Sequence, residues 1–308
     1  AELDDLTNLP KSLRATLVDL LPDALALETE SVSDDGDTVK WLWSLEGGAL
    51  VETVLMHYDD RSTVCVSTQA GCAMGCGFCA TGQAGFERNL SVGEIVEQVI
   101  RAIRRARPRR LSNVVFMGMG EPLANYEVTI AAARRLNDPH GLGIAQRRIT
   151  ISTVGLPKQI ERLAGEGLQT TLAVSLHAPD DALRRELIPW ARGIPLARLL
   201  AACRRYFEGT GREVTFEYCL LAGVNDRPEH ADRLGDIARD LRAHVNLLMY
   251  NPVPTLPYQR PSRNAAIDFL KRLRAAGVNA HLRESRGLEA DAACGQLRRR
   301  LSPLPPRR

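Results

Sequence analysis

The 308 residues carry a formal net charge of +3, 44 % hydrophobic residues and seven cysteines. That apolar content can fill the core of one large α/β domain with appendages, or of two domains. Apolar runs such as residues 245–249 are far too short to span a bilayer, and no basic segment leads into an apolar stretch at the start. A membrane span and a secretory signal are therefore not read, and a cytoplasmic location is expected.

In chain order, residues 11–21 predict a short helix. Residues 38–45, 48–57 and 62–67 predict strands joined by turns at Glu46-Gly47-Gly48 and Asp59-Asp60. From residue 63 strands and helices alternate. The strands fall at 63–67, 113–117, 148–152, 170–175, 213–220 and 245–249. The helices fall at 92–107 (capped by Ser91), near 126–136, at 157–165, at 180–187 and 196–208, at 229–241 and at 262–276. Residues 278–283 offer one more strand. Six successive β-α units argue for a parallel sheet covered by helices, but the pattern does not separate an open sheet from a closed or partial barrel. The expected division is an extension over 1–60, a core over 61–285 and a C-terminal segment over 286–308.

Positive charge is nearly all arginine, with lysine only at 11, 40, 158 and 271. Arg101, Arg104, Arg105, Arg107, Arg109 and Arg110 form one group, and Arg298, Arg299, Arg300, Arg307 and Arg308 another. Each reads either as a solvated surface or as a footprint for RNA phosphates, which the guanidinium fork matches. An odd number of cysteines, three of them within eight residues, is not a disulfide framework; such grouping points to metal or chemistry.

The sharpest motif is Cys72-Ala-Met-Gly-Cys76-Gly-Phe-Cys79, in the loop between the first core strand and the first long helix. In a β/α barrel the loops at the carboxyl ends of strands build the active site. Three thiolates can hold a [4Fe–4S] cluster and leave its fourth iron open to S-adenosylmethionine (SAM). Gly71, Gly75 and Gly77 let the loop wrap tightly, and Phe78 can shield the cluster or contact adenine. The competing reading is structural zinc, which wants a second Cys pair downstream; the other cysteines are single and scattered. The spacing, with an aromatic residue in the last gap, resembles the radical SAM superfamily signature. Gly118-Met119-Gly120-Glu121-Pro122 follows the second core strand and reads as a SAM-binding turn or as a plain tight turn. Ser152, Ser175 and Asn251 end predicted strands and so face the same mouth.

Further motifs occur in order: Cys65-Val-Ser-Thr-Gln-Ala-Gly-Cys72, Gly85-Phe-Glu-Arg-Asn-Leu90, Met117-Gly-Met-Gly-Glu-Pro-Leu123, Ser175-Leu-His177, Tyr250-Asn-Pro252, Arg283-Glu-Ser-Arg-Gly and Ala292-Ala-Cys-Gly-Gln-Leu297. Together, from about residue 9 to 297, they resemble the RlmN/Cfr family of radical SAM RNA adenine methyltransferases. The resemblance implies an α/β fold: a radical SAM partial (β/α)6 barrel behind a small N-terminal helix-plus-β extension. It implies a [4Fe–4S] cluster on Cys72, Cys76 and Cys79, and SAM contacts from Gly120, Glu121, Ser152, Ser175, Leu176, His177 and Asn251. It makes Cys294 the methyl carrier, Cys65 its partner and Glu52, in Val51-Glu-Thr-Val54, the proton acceptor. Read alone, Glu52 is an exposed strand carboxylate, and Cys65 and Cys294 are small buried residues; Cys203 and Cys219 stay in that class.

The implied reaction places a methyl group on C2 of an adenosine in 23S rRNA, with tRNA as a further candidate substrate. C2 is not nucleophilic, so direct displacement on SAM has no path. Two SAM molecules are expected per turnover. One methylates Cys294. The other, cleaved with an electron from an external donor, yields a radical that takes hydrogen from that methyl group. The resulting methylene radical adds to C2, giving a protein–RNA adduct. Glu52 then takes the C2 proton, and Cys65 attacks the Cys294 sulfur, leaving a Cys65–Cys294 disulfide. The family's small helical domain before the matched region is expected to be truncated in this chain, and a monomer without a membrane partner is expected. Three alternatives stay open: Cfr-like C8 methylation, an Fe–S RNA-binding protein without methyl transfer, and a radical SAM enzyme acting on protein or small molecules.

Overall fold

The computed structural model describes residues 8–20 and 23–283. Helix α1 (Lys11–Leu20) precedes three antiparallel strands, β1 (Ala26–Ser33), β2 (Thr38–Ser44) and β3 (Leu50–His57). Strand β3 pairs antiparallel with β4 (Ser62–Cys65), which leads into the hairpin of β5 (Gln69–Gly71) and β6 (Phe86–Asn89), with α2 (Ala80–Ala84) between them. The chain then alternates: α3 (Val92–Ala106), β7 (Leu111–Phe116), α4 (Tyr126–Asn137), β8 (Ile149–Thr153), α5 (Pro157–Ala164) and β9 (Thr171–Ser175). It continues through α6 (Asp181–Leu187), α7 (Leu196–Thr210), β10 (Val214–Leu220), α8 (Pro228–Asp240), β11 (His244–Met249), α9 (Arg263–Ala275) and β12 (Ala280–Arg283).

Ten strands form one sheet in the order β1-β2-β3-β4-β7-β8-β9-β10-β11-β12. The run from β4 to β12 is parallel throughout, which is the partial barrel with the extra strand expected at 278–283. The N-terminal strands extend this same sheet through the β3–β4 pairing. Strand β1 and the β5–β6 hairpin were not predicted. The first, Ala-Leu-Glu-Thr-Glu-Ser-Val-Ser, is a largely exposed edge with little apolar content, and each hairpin strand has at most four residues.

The register sorts the side chains into two faces. One face carries Leu55, Val64, Phe116, Ile151, Val174 and Phe216, all fully buried. Helices pack there; α3, for example, meets it through Gln98, whose Oε1 accepts from Thr53 Oγ1 at 2.8 Å. The opposite, concave face carries Asn113, Val115, Thr150, Ser152, Thr171 and Ser175, which are only half-buried. A parallel sheet with one apolar and one polar face has a core on the helix side and a site on the other.

Helix α3 starts on the expected cap: Glu94 N donates to Ser91 Oγ at 3.2 Å and Ser91 N to Glu94 Oε2 at 2.7 Å, a reciprocal capping box. Much of its arginine group is turned to internal pairing. Arg101 pairs with Asp23 at 2.6 Å and Glu97 at 2.9 Å, and Arg109 with Asp37 at 2.9 Å. The C-terminal arginine group lies outside the described residues, and no described helix is long and apolar enough to cross a membrane.

Candidate active site

The three motif cysteines sit on the loop leaving the carboxyl end of β4. Cys72 N donates to Gly85 O at 2.7 Å, closing the β5–β6 hairpin at the base of the loop. Gly71, at φ 75°, permits this closure: a Cβ there would lie 2.0 Å from Gly85 O. Gly77 N donates to Leu187 O at 2.9 Å, fixing the loop to the end of α6. Cys79 caps α2, with its sulfur accepting from Gly82 N at 3.4 Å. A Cβ on Gly82 would stand 3.0 Å from Cys76 N, so the bare glycine lets α2 lie against the loop.

Cys72 and Cys76 are free thiols. Burial pushes Cys72 up to about 12 and Cys76 well above the ordinary thiol value, and repulsion from Cys79 adds to both shifts. The thiols are thus close enough to resist joint ionisation without a cation. Among the described residues, no three His, Cys, Asp or Glu side chains converge closely enough to hold a single metal ion. Three thiols on one loop suit a [4Fe–4S] cluster, which needs only three protein ligands, better than structural zinc, which takes four.

Beside this loop lies the glycine-rich turn after β7. Gly118 passes so close to β4 that a Cβ would sit 2.7 Å from Val66 O, and a Cβ on Gly120, at φ 101°, would sit 2.6 Å from Gln69. Glu121 N donates to Gln69 Oε1 at 2.8 Å. The Glu121 carboxylate accepts from Leu123 N at 3.0 Å and Val154 N at 2.7 Å, and burial pushes it up to about 7 against those bonds. Ser152 Oγ donates to Phe116 O at 2.6 Å. Ser175 ends β9, and Leu176 N donates to Glu217 O at 3.0 Å. His177, at φ 56°, accepts from Cys219 N through Nδ1 at 3.0 Å, and burial holds it down at about 3, so it stays neutral. Asn251 Oδ1 accepts from Arg260 at 3.1 Å.

Aromatic rings wall the third cysteine. Phe78 stands edge-on to His177 with centroids 4.8 Å apart and to Tyr258 at 6.5 Å. The Tyr258 hydroxyl lies 2.8 Å from where a Cβ of Gly77 would be. Tyr258 was not singled out in the sequence, since it lies in a loop with no motif of its own.

Cys65 ends β4 opposite Val54 of β3, which places Cys65, Val54 and Glu52 on one face. That face is the concave one, because β4 carries Cys65 beside Val115 of β7. Glu52 is not the exposed carboxylate that its strand position suggests. It is 3 % exposed and pairs at 2.9 Å with Lys40, which is fully buried. Cys65 is a free thiol, and its expected disulfide partner Cys294 lies outside the described residues. Cys203 is buried in α7 as expected. Cys219 is buried as expected too, and it follows Glu217 by two on the concave face; its upward shift to about 12 comes from burial first and then Cys79. Glu217, bonded to Asn246 Nδ2 at 2.8 Å and pushed by burial up to about 7, had no sequence signal beyond its strand.

Comparison with known proteins agrees with this geometry. Residues 66–235 match the family model of the radical SAM superfamily. A probable dual-specificity RNA methyltransferase RlmN from Thermosynechococcus vestitus is 52 % identical over 96 % of this chain and 87 % of its own length. One of the same description from Salinispora tropica is 51 % identical over 96 % and 82 %. The crystal structure of a radical SAM methyltransferase from Sphaerobacter thermophilus superimposes with a TM-score of 0.93 at 52 % identity, covering 96 % of this chain and 88 % of that one. The maturase HydG, 16 % identical with a TM-score of 0.56, shares the fold alone. The chain therefore belongs to the radical SAM superfamily and, within it, to the RlmN-type RNA methyltransferases.

Proposed function

We propose that the protein methylates C2 of an adenosine in 23S rRNA, and in tRNA where the target base can be unpaired, through a methyl carried on Cys294. The carrying observation is the placement of Cys65: a free thiol on the concave face, at the end of the strand that leads into the cluster loop and on the same face as Glu52. The radical SAM family implies a [4Fe–4S] cluster and SAM, and the three thiols with their glycine cradle suit that cluster. When bound, the two supply the methyl group and the one-electron chemistry that removes a hydrogen atom, with two SAM consumed per turnover and electrons from an external donor.

The chain's own residues do the rest. Cys294, outside the described residues, carries the methyl carbon to the base. Glu52 takes the proton from C2. Cys65 attacks the Cys294 sulfur: the S–S bond forms, and the C–S bond breaks with its electron pair left on the methylene carbon, which takes a proton and becomes the methyl group. The adduct's unpaired electron passes back to the one-electron carrier, and a reductant reopens the disulfide. The polar concave face admits a base swung out of its stack, because polar side chains there can pair with its edges. The protein acts as a monomer.

The test is mass spectrometry of RNA after anaerobic reaction of the reconstituted protein with SAM and reductant. Unmodified 23S rRNA fragments and tRNA are compared using wild type, Cys294→Ala and Cys65→Ala. The expected result is 2-methyladenosine from wild type alone and a covalent RNA–protein adduct in Cys65→Ala. SAM cleavage with every RNA left unmodified would sink the reading, and 8-methyladenosine would overturn the C2 assignment.

A further inference from the structure

The concave face holds an ion pair that the reaction scheme above does not use. Lys40 of β2 lies 2.9 Å from Glu52 of β3, with side chains 0 % and 3 % exposed. In the β2–β3 register Leu42 faces Glu52 and Lys40 faces Val54, so the two charged residues are diagonal neighbours on one face. It is not the helix face: that one is marked by the intervening Thr53, which accepts from Trp43 Nε1 at 3.0 Å and donates to Gln98 of α3 at 2.8 Å. From β4 the same face presents Cys65 and Thr63.

The backbone of Glu52 is tied to both loops of the site. Ser67 Oγ donates to Glu52 O at 2.6 Å and accepts from Met119 N at 3.0 Å. Ser67 lies between Cys65 and the cluster loop, and Met119 lies in the glycine-rich turn. Glu52 is thus held at the mouth end of the sheet.

A buried ion pair is a weak source of stability, and a well-packed apolar pair of the same volume commonly does as well or better. What an ammonium does at this depth is keep a carboxylate charged. A carboxyl buried without a cation holds its proton, as burial makes Glu121 do up to about 7. A carboxyl that already holds its proton cannot accept another.

We propose that Lys40 is a positioning residue for proton removal: its ammonium holds Glu52 as a carboxylate on the concave face, ready to take the proton of the target carbon. In that step the C–H bond of the RNA adduct breaks and its electron pair stays with the adduct. An O–H bond forms on Glu52, and Lys40 keeps its own protons. The inference rests on the role given to Glu52 under Proposed function.

The experiment compares wild type, Lys40→Met, Lys40→Arg, Glu52→Gln and the double variant Lys40→Met/Glu52→Gln, each loaded with cluster and SAM, in single turnover with RNA. Three quantities are read: 5′-deoxyadenosine formed, covalent RNA–protein adduct, and released methyladenosine. The expected result is that Lys40→Met forms 5′-deoxyadenosine and adduct as wild type does but releases product at least about tenfold more slowly, as a tenfold loss is 1.4 kcal/mol in the barrier. Glu52→Gln matches it, the double variant is no slower than Glu52→Gln alone, and Lys40→Arg restores most of the rate. If Lys40→Met does not fold, the comparison of the double variant with Glu52→Gln still decides. A second readout needs no cofactor: the infrared difference between Lys40→Met and the double variant shows a protonated carboxyl at neutral pH. The difference between wild type and Glu52→Gln shows a carboxylate.

Product release by Lys40→Met at the wild-type rate overturns the proposal. So does a double variant much slower than Glu52→Gln, or equal loss of all three quantities. A wild type that forms neither adduct nor methyladenosine overturns the Glu52 role itself, which is a different result from any variant's failure.

Discussion

The Glu121 carboxylate accepts the amide of Val154 at 2.7 Å across the gap between the turns that follow β7 and β8. Its other oxygen accepts Leu123 N at 3.0 Å, so one side chain fastens both turns at the mouth. Burial makes this arrangement pH-sensitive. The folded-state value is about 7 against an ordinary 4.5, so the folded state binds the proton more tightly than the unfolded chain. Stability from this group is therefore full below 4.5 and is lost as pH rises to about 7, a loss of roughly 3 kcal/mol. His177, held down at about 3, has the opposite slope between 3 and 6.5, and Glu217 has the same slope as Glu121. Subtraction isolates Glu121. Urea unfolding of the cofactor-free protein from pH 4.5 to 7.5 is expected to show a steeper decline for wild type than for Glu121→Gln.

Gly71 and Gly85 both adopt positive φ, at 75° and 78°, but only one is confined. A Cβ on Gly71 meets Gly85 O at 2.0 Å, whereas a Cβ on Gly85 meets nothing within 4 Å. Gly85→Ala should cost only the backbone strain of its φ 78°, ψ −176° conformation, about 1–3 kcal/mol, and load iron normally. Gly71→Ala should open the hairpin beneath Cys72 and lose most of its iron on reconstitution. Iron and sulfide analysis of the two variants checks this, and equal loading would refute it.

Gln98 is fully buried and serves Ser67 twice, accepting its N–H at 2.8 Å and donating to its carbonyl at 3.0 Å. It also accepts from Thr53 Oγ1 at 2.8 Å. Gln98→Leu leaves these groups buried without that partner, each at about 1–3 kcal/mol. A loss of about 3 kcal/mol or more in urea unfolding is expected, with Gln98→Glu losing less because the acceptor bonds remain. A change below about 1 kcal/mol would show that water replaces the amide.

Ser91 and Glu94 should not behave additively. Each bonds the other's backbone, and Arg88 grips both Glu94 oxygens, at 2.6 and 3.0 Å. Ser91→Ala is expected to cost about 1 kcal/mol alone. In a Glu94→Ala background it should cost less, because the box is already broken. Thermal unfolding of the four proteins in the cycle reads this directly.

The three-cysteine motif, the alternating core and the capped helix α3 were legible because each depends on local chemistry. Three thiols in eight residues, β-branched runs and a Ser-x-x-Glu start keep their meaning whatever lies around them. The Cys65 and Glu52 assignments came from the pattern of the whole family, since a lone cysteine or a lone strand glutamate carries no signal of its own. Strand β1 was missed because its alternation is polar on an exposed edge.

What only the tertiary structure decided is which residues meet across the sheet. Lys40 and Glu52 are twelve positions apart, and their pairing follows from the β2–β3 register. Shifting a strand by one residue sends every side chain to the other face, so no composition rule could have placed Glu52 with Cys65 and Lys40 rather than with α3. The same holds for Arg101 and Arg109, whose group reads in the sequence either as solvated surface or as an RNA footprint and which pair with Asp23 and Asp37. The sequence by itself determined which chemistry the chain can carry. The packing of strands and loops decided which of its charges pair within the protein.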